Sequence, residues 1–195
     1  MKIVVCVKQV PDTTEVKIDP KTNTLMRQGV PSIVNPHDKH ALEMALTLRD
    51  QFGGSVTVLS MGPMQSQEAL RECLAMGADH AVLLSDREFG GADTLATSYT
   101  LAAGIRKIGD YDLIICGKQA IDGDTAQVGP EIAEHLGIPH ITYASQVEAK
   151  LDGAVIRVHR ESEDGIEILE AKLPVLLTVT HFGDGPRLPV VKGIR

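Results

Sequence analysis

Aromatic and basic residues are scarce in this 195-residue sequence, and Trp is absent. Aromatic side chains make up only 3% of the chain, which leaves little surface on which bases could stack. The 19 Lys and Arg residues are outnumbered by 26 Asp and Glu, for a formal net charge of −7. A protein that follows a nucleic-acid backbone needs a cationic surface, so the composition argues against a nucleic-acid partner.

Cysteine is also sparse: the three cysteines lie far apart and form no C-x-x-C pair. Isolated cysteines in apolar runs are typical of reduced, buried thiols and predict a cytoplasmic or matrix-like location. The seven histidines lack zinc-type spacing, so no metal site is predicted. No window approaches the ~20 consecutive apolar residues of a transmembrane helix, and no cleavable leader is expected.

What the sequence does contain is an alternation of short apolar runs with amphipathic segments of helical length. The apolar, β-branched runs predict buried parallel strands at residues 2–7, 55–60, 81–84 and 112–116. Strands and helices that alternate in this way form right-handed βαβ units. The predicted fold is therefore α/β, with a mostly parallel, doubly wound sheet.

The predicted helices have recognisable ends. The first starts at Pro36 behind an Asn35 N-cap and stops at Gly53. The others are expected to start near residues 66, 93 and 125. The third helix is expected to carry the apolar residues Leu95, Leu101, Ala102 and Ile105.

The pattern changes after about residue 145. Apolar and polar residues alternate at 146–150, 154–160 and 166–171, and Asp-Gly pairs separate these runs. Asp-Gly between alternating runs is a strong hairpin signal, so an antiparallel hairpin extension is expected near residues 146–171. An apolar strand at 174–179 completes a nucleotide-binding domain over residues 1–182. Residues 183–195 have no periodicity and are either a docking arm or a frayed terminus.

Three segments are expected to meet where the parallel strands end, since open α/β sheets bind ligands at that edge. They are residues 7–11 after the first strand, 35–38 at the start of the first helix, and 117–130 after the fourth strand. The last of these is the most informative, because it runs from a buried strand directly into a helix.

Glycine and threonine give the 117–130 segment features of an anion site. Gly117 and Gly123 let the backbone turn and approach a ligand, and Thr125 is expected to cap the helix, whose free N–H groups would face phosphate. Asp122 and Asp124 would repel phosphate, so they are expected to face ribose hydroxyls or their own backbone. There is no Walker lysine or G-x-G-x-x-G, so a tight strand-to-helix turn without a ligand remains a competing interpretation beside the favoured nucleotide site.

Individual side chains near this edge carry little further signal. Lys8 and Lys118 could each offer a cation to phosphate or simply be solvated, and His37 could contact a ligand. Cys6 and Cys116 are interpreted as small core residues, because no His–Asp pair is placed to activate them. No catalytic residue is therefore predicted, and any chemistry would belong to a bound cofactor.

Several motifs together resemble the β subunits of electron-transfer flavoproteins, and they occur in that family's order along essentially the whole chain. They are the first strand and Lys8 at 4–8, Asn35-Pro36, 75–79, the Gly117 loop at 117–122, the 158–178 signature and Pro186-Arg187-Leu188-Pro189.

The resemblance implies an adenine-nucleotide hydrolase-like α/β domain that pairs with an α subunit carrying the electron-transferring FAD. It also implies the residues that lie against this subunit's own nucleotide. Together with the cation Lys8, they are Cys6, Val7, Asn35, Pro36, His37, Asp38, Met61, Gly117, Lys118, Gln119, Ala120, Ile121, Asp122, Gly123, Asp124, Thr125, Ala126, Gln127 and Val128.

The 122–130 segment is similar to the electron-bifurcating or nitrogen-fixation-associated group, in which the nucleotide is a second FAD reduced by NADH. In that group, electrons pass to a low-potential carrier (ferredoxin or flavodoxin) and to a higher-potential acceptor (an acyl-CoA dehydrogenase-type partner or quinone). Gly123 and Ala126 are small, which would leave space for a ligand larger than AMP. Whether the chain is an enzyme in its own right stays open, with NADH oxidation expected of the heterodimer.

Two other functions remain possible at this stage. One is the AMP-binding form, which shuttles electrons from acyl-CoA dehydrogenases to a quinone reductase. The other is a stand-alone adenine-nucleotide-binding stress-type module. The resemblance also implies that residues 183–195 begin a partner-docking loop with Leu188, Val190 and Val191 as apolar anchors, and that the family's C-terminal arm lies beyond them.

Overall fold

The computed structural model describes residues 1–12, 31–150 and 154–190. Its strands, in chain order, are β1 Lys2–Cys6, β2 Gln9–Pro11, β3 Ser32–Val34, β4 Ser55–Met61, β5 His80–Leu84, β6 Leu113–Gly117, β7 His140–Lys150, β8 Val155–Ser162, β9 Gly165–Lys172 and β10 Val175–Val179. Its α-helices are α1 Pro36–Phe52, α2 Gln67–Met76, α3 Thr94–Ile108 and α4 Val128–Leu136. Short 3₁₀ turns lie at Met64–Ser66 and Arg87–Phe89.

Eight of these strands form one sheet in the order β5-β4-β1-β6-β10-β7-β8-β9. From β5 to β7 each neighbouring pair is parallel. The β7 strand joins the two halves: its first residues pair in parallel with β10, and its later residues pair antiparallel with β8. The predicted α/β fold with an antiparallel extension is confirmed, although β7 begins earlier than predicted, at His140.

Helices cover both faces of the parallel strands. Alternate residues of a strand point to opposite faces, so neighbouring residues of β1 pack against different helices. Ile3 and Val5 pack in the cluster that includes residues of α1 and α2. Val4 and Cys6 pack in the other cluster, with residues of α3 and α4. This double coverage explains why β1 is apolar at four consecutive positions, the signature of a parallel strand that is buried on both faces.

The ends of α1 lie where the sequence placed them, with Asn35 before Pro36 and Gly53 at the C-cap. The Asn35 side chain does not cap the helix, however. Helix α3 contains the four apolar residues predicted for it and buries Leu101, Ala102 and Ile105, whereas Leu95 is 61% exposed.

The predicted start of α4 is wrong, because this helix begins at Val128 and not at Thr125. The cause lies in the backbone: Asp124 and Ala126 have φ values of +50° and +54°, which a right-handed helix cannot include. The Thr125 hydroxyl therefore does not cap this helix. The sequence also missed the small antiparallel ribbon of β2 and β3, which occupies part of the predicted 7–11 loop. In the described residues no helix is both long and apolar enough to span a membrane.

Candidate functional site

A cleft of about 990 Å³ opens at the carboxyl edge of the parallel strands. Its walls come from the segments that follow β1, β4, β5 and β6, and from the first residues of α3 and α4. This is where the doubly wound architecture predicts a ligand, since the loops diverge there. Its volume lies at the upper end of the range for small-molecule sites, about 300–1,000 Å³.

Many of the residues predicted from the sequence line this cleft. They are Cys6, Val7, Lys8, Asp38, Met61, Gly117, Lys118, Gln119, Ala120, Gly123, Asp124, Thr125, Ala126, Gln127 and Val128. The remaining predicted residues lie behind the wall and are not among those lining it: Asn35, Pro36, His37, Ile121 and Asp122. Two residues of this second group, Asn35 and Asp122, make hydrogen bonds that hold residues of the first group in place.

Asn35 links three segments of the site. It is buried, and its side chain donates to the Gln119 carbonyl at 2.8 Å and accepts from the Ile121 N–H at 3.1 Å. Its own backbone N–H donates to the Lys8 carbonyl. The amide of Asn35 therefore shapes the Gly117 loop, which explains why it is not used to cap α1.

Asp38 makes a second junction beside the first. Its carboxylate accepts from the Lys8 N–H at 2.8 Å and from the Gly117 N–H. Burial nevertheless raises the pKa of Asp38 from 3.8 to about 7, because the loss of water outweighs these hydrogen bonds. The cleft thus has on its wall a carboxyl group that titrates near neutral pH.

The acidic residues of the Gly117 loop have partners within the protein. Lys8 Nζ lies 2.6 Å from Asp122 Oδ1, and the Asp122 side chain is only 3% exposed. The Gln119 amide donates to Asp124 Oδ1 at 2.8 Å. The predicted contacts of these carboxylates with ribose hydroxyls or with their own backbone stay predictions. The charge of Asp122 is offset by Lys8, which lowers the repulsion that an anionic ligand would meet.

The start of α4 faces the cleft. The N–H groups in the first turn of a helix have no intrahelical acceptor, and the helix dipole favours negative charge there. Gly129 allows this end to lie close to the sheet, since a Cβ at that position would be 2.6 Å from Thr178 Cγ2. The N-terminus of α4 is therefore held beside the ends of β6 and β10, where it can receive a phosphate.

Cys6 and Cys116 lie side by side on neighbouring parallel strands, in register, and both reach the cleft. The hydrogen bond between the Cys116 and Cys6 thiols stabilises the protonated form of Cys116, and together with burial it raises the pKa of Cys116 well above its ordinary value. The Cys116 thiol therefore stays protonated at neutral pH and is a poor nucleophile. The geometry agrees with their interpretation as small packing residues.

Sequence reasoning missed one wall of the cleft. It consists of residues after β4 and β5 and at the start of α3: Gly62, Pro63, Met64, Ser85, Asp86, Arg87, Phe89, Gly90, Gly91, Ala92, Asp93, Thr94, Thr97 and Leu101. These residues could have been predicted from the sequence. Both β4 and β5 were predicted as parallel strands, and the carboxyl ends of parallel strands lie at the same edge of the sheet as that of β1. The Thr94 hydroxyl donates to Glu131 Oε1 at 3.1 Å and so joins this wall to α4.

The segment after β10 is fixed against α1 as far as it is described. Arg187 contacts both carboxylate oxygens of Glu43 at 2.9–3.1 Å and Asp50 Oδ2 at 2.9 Å. Burial raises the pKa of Glu43, but the hydrogen bonds from Arg187 outweigh it and hold that pKa below its ordinary value. Leu188 and Val190 are 84% and 60% exposed. Val191 lies outside the described residues.

His37 contacts the segment that follows β10 and does not line the cleft. Its Nδ1 lies 3.0 Å from the Thr180 carbonyl, just after β10 ends. Pro36 occupies the first position of α1. These two residues therefore anchor the helix next to the sheet edge, and neither reaches the cleft in this structure.

Comparison with known proteins identifies the relatives of this chain. The family pattern of the electron transfer flavoprotein domain matches residues 22–182. The chain is 62% identical over 194 residues to the electron transfer flavoprotein subunit beta of Clostridium acetobutylicum, an alignment that covers 100% of this chain and 74% of that protein. It is 58% identical over 195 residues to the caffeyl-CoA reductase-Etf complex subunit CarD of Acetobacterium woodii, covering 100% and 74%. It is 55% identical over 184 residues to protein FixA of Azorhizobium caulinodans, covering 92% and 66%.

Proposed function

The chain belongs to the electron transfer flavoprotein family as a β subunit, and we propose that its cleft holds an FAD that is reduced by NADH. Subunits of this type pair with an α subunit and act in electron transfer. In this proposal the electrons leave in two directions, one to a low-potential ferredoxin or flavodoxin and one to a higher-potential acyl-CoA dehydrogenase-type partner or quinone.

The observation that carries the proposal is the size of the cleft. A volume of about 990 Å³ suits a dinucleotide, whereas a mononucleotide would leave much of the space empty. The 123–129 turn leaves this space open because it contributes the small residues Gly123, Ala126 and Gly129 to the cleft wall. Gly123 has nothing within 4 Å of the position that a Cβ would take.

The charges around the cleft also suit a ligand with phosphate groups. The first turn of α4 presents backbone N–H groups, and Lys118 adds a cation on the same wall. Several carboxylates that line the cleft have donors of their own: Asp93 accepts from the Ala96 N–H and Asp86 from the Glu88 N–H. A ligand anion would therefore meet acidic groups that are already hydrogen-bonded.

A bound flavin supplies hydride acceptance from NADH and the release of electrons one at a time, and the chain supplies its position. Cys6, Met61 and Val128 give the cleft apolar surface that excludes water, while Asn35 and Asp38 hold the loops around it. None of these side chains is assigned a covalent role. The proposal therefore names binding and positioning residues and no catalytic residue.

AMP in the same cleft is the second candidate, and the electron shuttle from acyl-CoA dehydrogenases to a quinone reductase is the function that would follow. The phosphate-binding features of α4 serve AMP as well as FAD, so they do not favour one over the other. The unfilled volume beside AMP is what argues for FAD. Family membership argues against a stand-alone stress-type module.

The segment at 183–190 is proposed as the start of the partner-docking surface. The ion pairs of Arg187 keep it on α1 while Leu188 and Val190 face solvent. Exposed apolar side chains on a fixed backbone are suited to contact with a partner protein, here a dehydrogenase. Val191 extends the same run in the sequence.

The proposed electron donor can be tested by anaerobic titration of the α–β heterodimer with NADH while the flavin absorbance near 450 nm is followed. Rapid bleaching is expected, because the cleft flavin would take hydride directly. A heterodimer with a Gly117→Ala substitution serves as the matched control, since it should keep the α-bound flavin and lose the site in this chain. Absorbance that NADH leaves unchanged in the unsubstituted heterodimer would refute NADH as the donor.

A further inference from the structure

Tyr143 has an unusual backbone conformation. Its φ is +60°, in the left-handed region that bulky side chains seldom enter. Such a strained conformation persists only where the surroundings enforce it. The residue lies at the carboxyl edge of the sheet, near the Gly117 loop.

A β-bulge enforces this conformation. Ile141 pairs with Leu177 and Ala144 pairs with Val179, so two residues of β7 lie opposite the single residue Thr178 of β10. The Tyr143 N–H, which the bulge removes from the ladder, donates to the buried Thr178 hydroxyl at 3.1 Å. Bulges redirect side chains, and this one is braced in a fixed geometry.

The bulge brings the Tyr143 ring to Lys118. The Lys118 Nζ lies 5.2 Å from the ring centroid, within the range of a cation–π interaction. Lys118 lines the cleft, and its backbone N–H donates to the Val179 carbonyl at 2.8 Å. Both ends of the lysine are therefore held, the backbone by β10 and the ammonium by the ring.

The two lysines of the cleft wall are held in different ways. Lys8 is held by the carboxylate of Asp122, which cancels most of its charge. Lys118 is held by a neutral ring, which fixes the ammonium without neutralising it. Within residues 1–12, 31–150 and 154–190 no carboxylate forms an ion pair with Lys118, so this fixed cation is suited to receive a phosphate.

We propose that Tyr143 is a positioning residue that holds Lys118 ready to receive a phosphate group of the nucleotide in the cleft. This inference rests on the proposed function, because it requires a phosphate-bearing ligand there. It assigns a role to the strained backbone at residue 143, which the bulge between β7 and β10 holds in place.

The test uses the α–β heterodimer after its nucleotides have been removed, titrated by calorimetry with ADP and with adenosine. ADP carries the pyrophosphate that is also part of FAD, and adenosine has the same base and sugar without phosphate. The variants are Tyr143→Asn, which removes the ring and tolerates positive φ, and Tyr143→Phe, which keeps an aromatic face. Lys118→Met and the double variant Tyr143→Asn with Lys118→Met complete a double-mutant cycle.

The expected result is that Tyr143→Asn weakens ADP binding about fivefold and Lys118→Met about tenfold, with the double variant no weaker than Lys118→Met. Adenosine affinity should be the same in all of them, and Tyr143→Phe should bind ADP like the unsubstituted protein. The melting temperature of the nucleotide-free Tyr143→Asn protein should not fall, because the strain is relieved. A purely structural role would lower that temperature and would affect both ligands.

Additive effects of the two substitutions on ADP binding would overturn the inference, as would equal losses for ADP and adenosine. Normal ADP binding by the Tyr143→Asn protein would overturn it too and leave the proposed function intact. Failure of the unsubstituted heterodimer to bind ADP or FAD would refute the proposed function, and the inference with it.

Discussion

Substitution of Gly117 by Ala is expected to abolish nucleotide binding by this chain and to lower its stability by roughly 3 kcal/mol. A Cβ at Gly117 would overlap Asp38 Oδ1 and would lie 2.7 Å from the His37 carbonyl carbon and 2.8 Å from the Asp38 nitrogen. Backbone atoms at the start of α1 cannot move aside as a flexible side chain can. The Gly117 loop would instead be pushed away from α1, and the contacts of Asn35 and Asp38 with it would break.

Thermal melting of the nucleotide-free chain and calorimetric titration with FAD measure both effects. A loss of this size corresponds to a fall in melting temperature of roughly 10 °C in a domain of this length. Gly123→Ala is the matched control for stability, since it lies in the same loop and a Cβ there has nothing within 4 Å. An unchanged melting temperature and intact binding in the Gly117→Ala protein would contradict the described packing.

The second large effect is expected from pH, through Asp38. The pKa of this buried carboxyl is raised from 3.8 to about 7, so between these values the folded chain holds a proton that the unfolded chain has released. Stability therefore falls as pH rises through this window and levels off above it. The full change is on the order of 4 kcal/mol, and the part between about pH 5 and pH 8 is about 3 kcal/mol.

This prediction is tested by denaturant unfolding of the nucleotide-free chain at about pH 5 and pH 8, with Asp38→Asn for comparison. The amide cannot titrate, so the difference in unfolding free energy between the two proteins should change by about 3 kcal/mol over this range. The other titrating groups are common to both proteins and cancel in this comparison. Parallel pH profiles would show that Asp38 is ionised throughout the range and would contradict its described burial.

Local sequence patterns were sufficient to predict the parallel half of the fold. The apolar run of β1 and the start of α1 at Asn35–Pro36 are determined by residues that are close together in the sequence. Both lie where they were predicted. The antiparallel extension was predictable from alternation and Asp-Gly turns, although the turn at Asp152-Gly153 lies outside the described residues. The edge of the sheet at which a ligand would bind followed from the fold class alone.

The interior of the site could not be predicted in the same way, because it depends on contacts between distant residues. Lys8 and Asp122 are 114 positions apart, so nothing in the sequence near Asp122 indicates its partner. The left-handed conformations at Asp124 and Ala126, which delay α4, involve residues with no local requirement for positive φ. Asn35 is similar: its position was predicted, but its two bonds to the Gly117 loop required the folded structure.

The most direct test of the central proposal is the identity of the nucleotides released when the purified α–β heterodimer is denatured. Chromatography against standards would separate FAD from AMP and give the amount of each per heterodimer. The proposal predicts two molecules of FAD per heterodimer, one of them from the cleft of this chain. One FAD and one AMP would contradict it and would make the cleft a structural nucleotide site.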